Sequence, residues 1–357
     1  MSDLPLSSQQ RTSALLNLLG IELPIIQSPM AGVQDEALTI AVSKTGGLGS
    51  LPCAMLTAQQ LDQALENITT QTDKPYNVNF FCHTPPVTDT AIEKQWREQL
   101  KPYYREWGID GDNIPSGRGR APFDQQMADV LLKYKPRVVS FHFGLPEDSL
   151  LQAVKQMGAK VLSSATTIEE AIWLEKMGVD GIIAQGVEAG GHRGMFLTED
   201  LTTQQNTLEL VAQISQVVSV PVIAAGGVAS VDDAKVALRA GASAVQVGTA
   251  YLLTPEATTS QIHRQILQSD QAQNTALTNV FSGRPARGIV NRFIKEMGEI
   301  NSQAPAFPLA TSAIAPLRAA AEKQGSGDFS PLWAGQNTRN LKAISAAELT
   351  RQLVSGL

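Results

Sequence analysis

Four histidines punctuate the sequence, and two of them stand where an imidazole can do chemistry. His142 closes the apolar run Val138 to Gly144 (VVSFHFG), and His192 lies in the glycine-rich stretch Gln185 to Gly194 (QGVEAGGHRG). An imidazole titrates near neutral pH, so at the end of such a run it can donate, accept or transfer a proton. Asn79 and Gln185 end similar runs with amides able to hydrogen-bond the edge of a heterocycle, and Met30-Ala31 is apolar and small enough to lie against a flat ring. Gly226-Gly227 and Gln246-Val247-Gly248-Thr249 follow two further runs, leaving bare backbone N–H groups of the kind that cradle a phosphate. His83, in a long insertion, and His263, in a polar helical stretch, are expected at the surface.

What is missing narrows the chemistry. No pair of carboxylates ends two of these runs, which argues against glycoside hydrolysis. No serine or cysteine sits in a nucleophile-elbow pattern, and no cluster of acids and histidines has ligand spacing for a metal. Amides, glycines, backbone donors and histidine remain. That set suits a bound flavin mononucleotide (FMN), whose ring carries the redox step while the protein positions it.

These residues need a scaffold that brings strand ends together. Residues 221–249 show the plan most clearly: a buried run from Pro221, a helical stretch, Gly241, and a second buried run from Ala244. Runs at 24–30, 47–51, 76–81, 138–144, 160–165, 181–186, 221–227 and 244–249 give eight expected strands separated by helix-forming sequence. That rhythm predicts an α/β protein built as a (β/α)8 TIM barrel, with chemistry at the carboxyl ends of its strands. It breaks at residues 82–123, an expected insertion beside the barrel mouth. Residues 256–357 are expected to form a smaller, mainly helical second domain over the mouth, with residues 1–255 as the FMN-binding barrel.

At 357 residues, 43% hydrophobic and 17% charged, the chain suits a globular protein with a large core. A net charge of −6 gives no footprint for nucleic acid or an anionic membrane. The two cysteines, Cys53 and Cys82, make a disulfide framework improbable, no apolar run approaches a membrane span, and the N-terminus is not of signal-peptide type, so a cytoplasmic location is expected.

The ordered segments PIIQSPMAG (24–32), NVNFF (77–81), SFHFG (140–144), QGVEAGGHRG (185–194), Ala224–Gly227 with Gln246–Thr249, FSGRPARGIVNRF (281–293) and LWAGQ (332–336) together resemble the class I nitronate monooxygenases. The resemblance implies an FMN-dependent, NAD(P)H-independent oxygenase that oxidises alkyl nitronates, such as propionate 3-nitronate, with O2. By motif, Asn79, Gln185, Gly190, Gly227 and Gln246 to Thr249 would bind FMN, and His142 would be the active-site histidine. Ser282 would line the same pocket; a nitronate is a delocalised anion, so His192, Arg193 or backbone N–H groups could hold its oxygens, although Arg193 reads equally well as a surface cation. His142 would hold the nitro group or remove an α-proton. Expected partners are therefore a small nitronate and O2, with no nucleic acid and no membrane; a homo-oligomer is compatible with the sequence. Two rivals share the barrel: an FMN-containing enoyl-(acyl carrier protein) reductase and a flavin-binding barrel without catalysis.

Overall fold

A computed structural model describes residues 7–111, 113–114 and 119–357. The strands follow in chain order as β1 (Ile25–Gln27), β2 (Gly49–Pro52), β3 (Tyr76–Phe81), β4 (Val138–His142), β5 (Lys160–Ala165), β6 (Gly181–Gln185), β7 (Gly191–His192), β8 (Val222–Ala225), β9 (Ala244–Val247), β10 (Thr275–Thr278) and β11 (Ala286–Ile289). Eight of them form one parallel sheet in the order β1-β9-β8-β6-β5-β4-β3-β2. A single bridge, Ile26 to Leu48, closes the seam between β1 and β2. The result is the expected eight-stranded, nearly closed barrel; β3 and β5 keep the bounds of their runs and the other six strands are shorter.

Most of the helices open on a capping side chain. α1 (Ser8–Leu19) opens on a Ser7 capping box. α2 (Glu36–Lys44), α3 (Ala58–Gln71), α4 (Thr90–Glu106) and α5 (Gln125–Tyr134) each follow a capping Asp or Thr side chain. α6 (Asp148–Gln156) has no such cap. α7 (Ile168–Lys176), α8 (Thr207–Val217) and α9 (Val231–Ala240) are capped by Thr167, Asn206 and Ser230. The later helices are α10 (Gln261–Leu267), α11 (Arg292–Met297), α12 (Ala310–Lys323) and α13 (Ala346–Val354).

The barrel is packed in two shells, as alternating strand residues require. Ile26, Leu48, Val138, Leu162 and Ile223 form the inner cluster with Leu15 and Leu19, so α1 plugs the amino-terminal end. Ile25, Val78, Val139, Val161, Ile182 and Val222 face the helices. Higher in the barrel the filling turns polar: Asn77 Nδ2 donates to Ser50 Oγ (3.1 Å) and Ser140 Oγ (2.8 Å), and Asn79 Nδ2 to Ser140 Oγ (3.0 Å).

The region after β9 departs from the expected helical unit. β10 and β11 pair antiparallel, and β11 also pairs with β7, so a three-stranded sheet stands beside the mouth. A separate hydrophobic cluster joins Trp96, Leu100, Tyr103 and Tyr104 of α4 to Phe281, Phe293, Ile314, Leu317 and Phe329. The insertion and the later segment thus share one core. α13 packs instead on α2 and α9, in the place of the helix that completes the barrel ring. Its Leu349 and Leu353 are buried, and Thr350 Oγ1 meets Tyr251 OH at 2.8 Å. Among the described residues, no helix is long and apolar enough to cross a membrane.

Candidate functional site

The carboxyl ends of the strands surround one deep pocket. Part of its wall is almost bare backbone. Gly226 and Gly227 have φ of +129° and +72°, conformations that side chains disfavour. A Cβ on Gly226 would stand 2.6 Å from Thr207 Oγ1. The N–H groups of Gly227, Gly248 and Thr249 make no hydrogen bond among the described residues. The nearby start of α9 is engaged by its own Asp233, whose Oδ2 accepts from Ala229 N, Ser230 N and Ser230 Oγ. The free donors therefore belong to the two loops.

A strap covers this cradle. Gly335 N donates to Thr249 Oγ1 (2.9 Å), Gln336 N to Glu188 O (2.9 Å), and Asn337 Nδ2 to Gly227 O (2.8 Å). The crossing is so close that a Cβ on Gly190 would lie 2.6 Å from Gly335 N. Gln246 lines the pocket with a buried Oε1 that has no hydrogen-bond partner among the described residues. Met30, Ala31 and Asn79 line it too, and the Asn79 oxygen makes no hydrogen bond among the described residues.

Histidines and aromatic rings form the other part of the wall. His142 Nε2 is 3.2 Å from the His192 carbonyl, which can only accept, so the proton sits on Nε2. Its Nδ1 accepts from Ser164 Oγ at 2.6 Å. His192 Nε2 meets Ser282 Oγ at 2.9 Å. Phe81 and Phe143 wall both imidazoles and Phe307 adds to the wall of His192, with His142 4.5 Å from Phe143 and His192 5.2 Å from Phe307 between centroids. Burial pushes His142 down to about 3, against the His192 carbonyl, with Arg284 and Arg193 pressing the same way. Burial, then Arg120, also holds His192 well below the ordinary range. Both rings are neutral at physiological pH, which corrects the expectation of an imidazole titrating near neutrality.

The pocket brings together most of the residues singled out from sequence: Met30, Ala31, Asn79, His142, Gln185, Gly190, His192, Gly226, Gly227, Gln246, Gly248 and Thr249 all line it. Several take other parts. Arg193 is fully buried and donates to Gly186 O (2.7 Å), Gln185 O (2.7 Å) and Gln204 Oε1 (2.9 Å), so it is neither a surface cation nor a pocket residue but a strut under the loop. Gln185 lines the pocket, yet its amide braces the same loop through His192 O (2.9 Å) and Gly194 N (2.8 Å). Ser282 stands behind His192, and Val247 belongs to the outer core. His83 and His263, expected at the surface, are 6% and 4% exposed. Folding turns His83 against Phe307 (4.8 Å between centroids), and α10 turns His263 toward the pocket. Burial first pushes both down to about 4.

Ser164, Arg120, Phe307 and Asn337 were not singled out from sequence, because they come from remote segments with no local pattern to mark them, and Trp333 stood only inside the LWAGQ segment with no role attached. Arg120 lines the pocket with its guanidinium carbon 5.9 Å from the Phe307 ring centre, and Arg284 lies 4.1 Å over Phe143 while donating to the Met195 carbonyl.

Residues 12–356 match the family model described as nitronate monooxygenase. The chain is 41% identical to the nitronate monooxygenase of Pseudomonas aeruginosa over 97% of its own length and 99% of the relative's. It is 39% identical to the Paraburkholderia phytofirmans nitronate monooxygenase, over 98% and 96%. Among solved structures, a nitroalkane oxidase from Streptomyces ansochromogenes superposes with a TM-score of 0.87 at 37% identity, covering 95% of this chain and 96% of that one. FabK from Thermotoga maritima aligns over 95% and 94% with a TM-score of 0.69 at 25% identity.

Proposed function

Because the chain belongs to the nitronate monooxygenase family of flavin-dependent oxidoreductases, we propose that its pocket holds FMN and that it oxidises alkyl nitronates of the propionate 3-nitronate type with O2 to carbonyl compounds and nitrite, without NAD(P)H. The observation that carries this reading is one pocket with two unlike walls, a glycine cradle of unused N–H donors and a pair of neutral imidazoles among aromatic rings. The unused donors suit a phosphate, the unpartnered Gln246 Oε1 and the Asn79 oxygen suit the N–H edge of a flavin ring, and Met30-Ala31 gives it an apolar bed. When bound, FMN supplies the electron acceptor for the oxidation.

The protein's own part is binding and orientation. A nitronate arrives already deprotonated, so the reaction on it needs no general base. His142, uncharged at working pH, offers an Nε2–H that can turn from the His192 carbonyl to a nitronate oxygen. The aromatic wall keeps water from that hydrogen bond and so strengthens it. A neutral nitroalkane would first have to lose its α-proton, and an imidazole held near 3 is a poor base for that. The reading therefore favours nitronates over their neutral acids. The free thiols of Cys53 and Cys82 support a cytoplasmic setting.

The test is an absorption spectrum of the purified protein followed by oxygen uptake with propionate 3-nitronate. A yellow protein that consumes O2 on the nitronate, and far more slowly on 3-nitropropionate kept protonated at carbon, is the expected result. A colourless protein that does not take up added FMN overturns the reading. Rapid bleaching by NADH without O2 favours a reductase, and a stable flavin with no oxygen uptake favours a non-catalytic barrel. His142→Asn should cut kcat by roughly 100-fold or more while the protein stays yellow.

A further inference from the structure

Of the cations near the pocket, Arg120 is the one whose charge no group among the described residues answers. Arg193, Arg284 and Arg287 each have carboxylates acting on them and backbone carbonyls accepting from them. Arg120 lines the pocket with its backbone hydrogen-bonded to His83, yet among the described residues its guanidinium makes no hydrogen bond and the charged group acting on it is another cation, Arg318. Its surroundings are the Phe307 ring and the uncharged His83 and His192. A guanidinium desolvated without a counter-ion is costly unless an anion arrives from outside.

The glycine cradle belongs to another stretch of the wall, whereas Arg120 stands on Phe307, the ring that also packs on His192. We propose that Arg120 is a specificity-determining residue that binds a carboxylate carried by the substrate at a distance from its nitronate group. The proposal rests on the function argued above. The planar fork of a guanidinium grips a carboxylate by two parallel hydrogen bonds, and the aromatic wall keeps water from competing. Nitronates with a carboxylate tail are then preferred over alkyl nitronates of equal length, because the latter leave the half-buried cation without a counter-ion.

The experiment compares wild type, Arg120→Met and Arg120→Lys on propionate 3-nitronate and on the nitronate of 1-nitropropane, which lacks the carboxylate. Expected for Arg120→Met is a rise in KM for propionate 3-nitronate of roughly 30-fold, a much smaller change for the propane nitronate, and kcat values that move little. Arg120→Lys should restore part of the difference. Succinate, measured by calorimetry on the flavin-loaded protein, should bind wild type and lose its affinity in Arg120→Met. Equal losses on both nitronates, or succinate binding unaffected by the substitution, overturn the assignment. If wild type oxidises neither nitronate, the proposed function falls, and the succinate titration still decides whether Arg120 is a carboxylate site.

Discussion

At the scale of single residues, the site depends on side chains held by neighbours rather than by the chain that carries them. His142 is fixed in one tautomer by Ser164 on the next strand and by the His192 carbonyl fifty residues away. Gly194 makes room for that pair, since a Cβ there would stand 2.6 Å from Ser164 Oγ and 2.8 Å from His142 Cε1. Gly194→Ala should therefore push the imidazole aside and lower kcat by about tenfold to a hundredfold, with flavin retained; steady-state kinetics beside an absorption spectrum checks it. Unchanged kcat would mean that the ring's position does not matter. The candidate histidines were legible because their apolar and glycine-rich neighbours set them at strand ends. The fate of Arg193 was not, because only the folded loop turns the carbonyls of Gln185 and Gly186 toward its guanidinium.

At the scale of elements, the decisive contact is between two stretches of backbone nearly 150 residues apart. The loop after β6 meets the strap at 332–337, where Gly190 and Gly335 pass with no space for side chains. A Cβ on Gly335 would lie 2.7 Å from Glu188 O, so Gly335→Ala has to lift the strap from Thr249 and Gly227. FMN affinity should fall by roughly tenfold, read from flavin fluorescence on titration, while thermal unfolding of the flavin-free protein shifts little. An undiminished affinity would show that the strap does not support the cradle. Strands and helices of the barrel could be read from alternating apolar runs and glycine stops. The antiparallel trio β7, β10 and β11 could not, because β7 is two residues long and β10 alternates too briefly to stand out from a helical stretch.

At the scale of the whole molecule, the barrel rhythm was legible and its completion was not. The helix that closes the ring, α13, comes after an excursion of more than ninety residues, and no local pattern ties it to α2 and α9. Ending the chain at residue 344 would expose the partners of Leu349 and Leu353 at about 1.5–3 kcal/mol for each leucine, so the truncated protein should be insoluble or lose its cooperative thermal transition. A soluble, cooperative product would show that the ring closes without it. The buried histidines set the molecule's response to acid. His83, His142 and His263 are pushed down to about 4, 3 and 4, below the ordinary value of about 6.5. Between those limits the unfolded chain binds more protons than the folded one, so the stability these histidines contribute is fully present above about pH 6.5 and is lost as pH falls toward 4. Each such histidine contributes at most about 1.4 kcal/mol per pH unit, and the Tm should drop steeply from pH 6 to pH 4.5. His263→Gln, which removes one of these protonation sites, should flatten that drop; a slope equal to wild type would mean that His263 titrates in the folded protein as freely as in the unfolded chain.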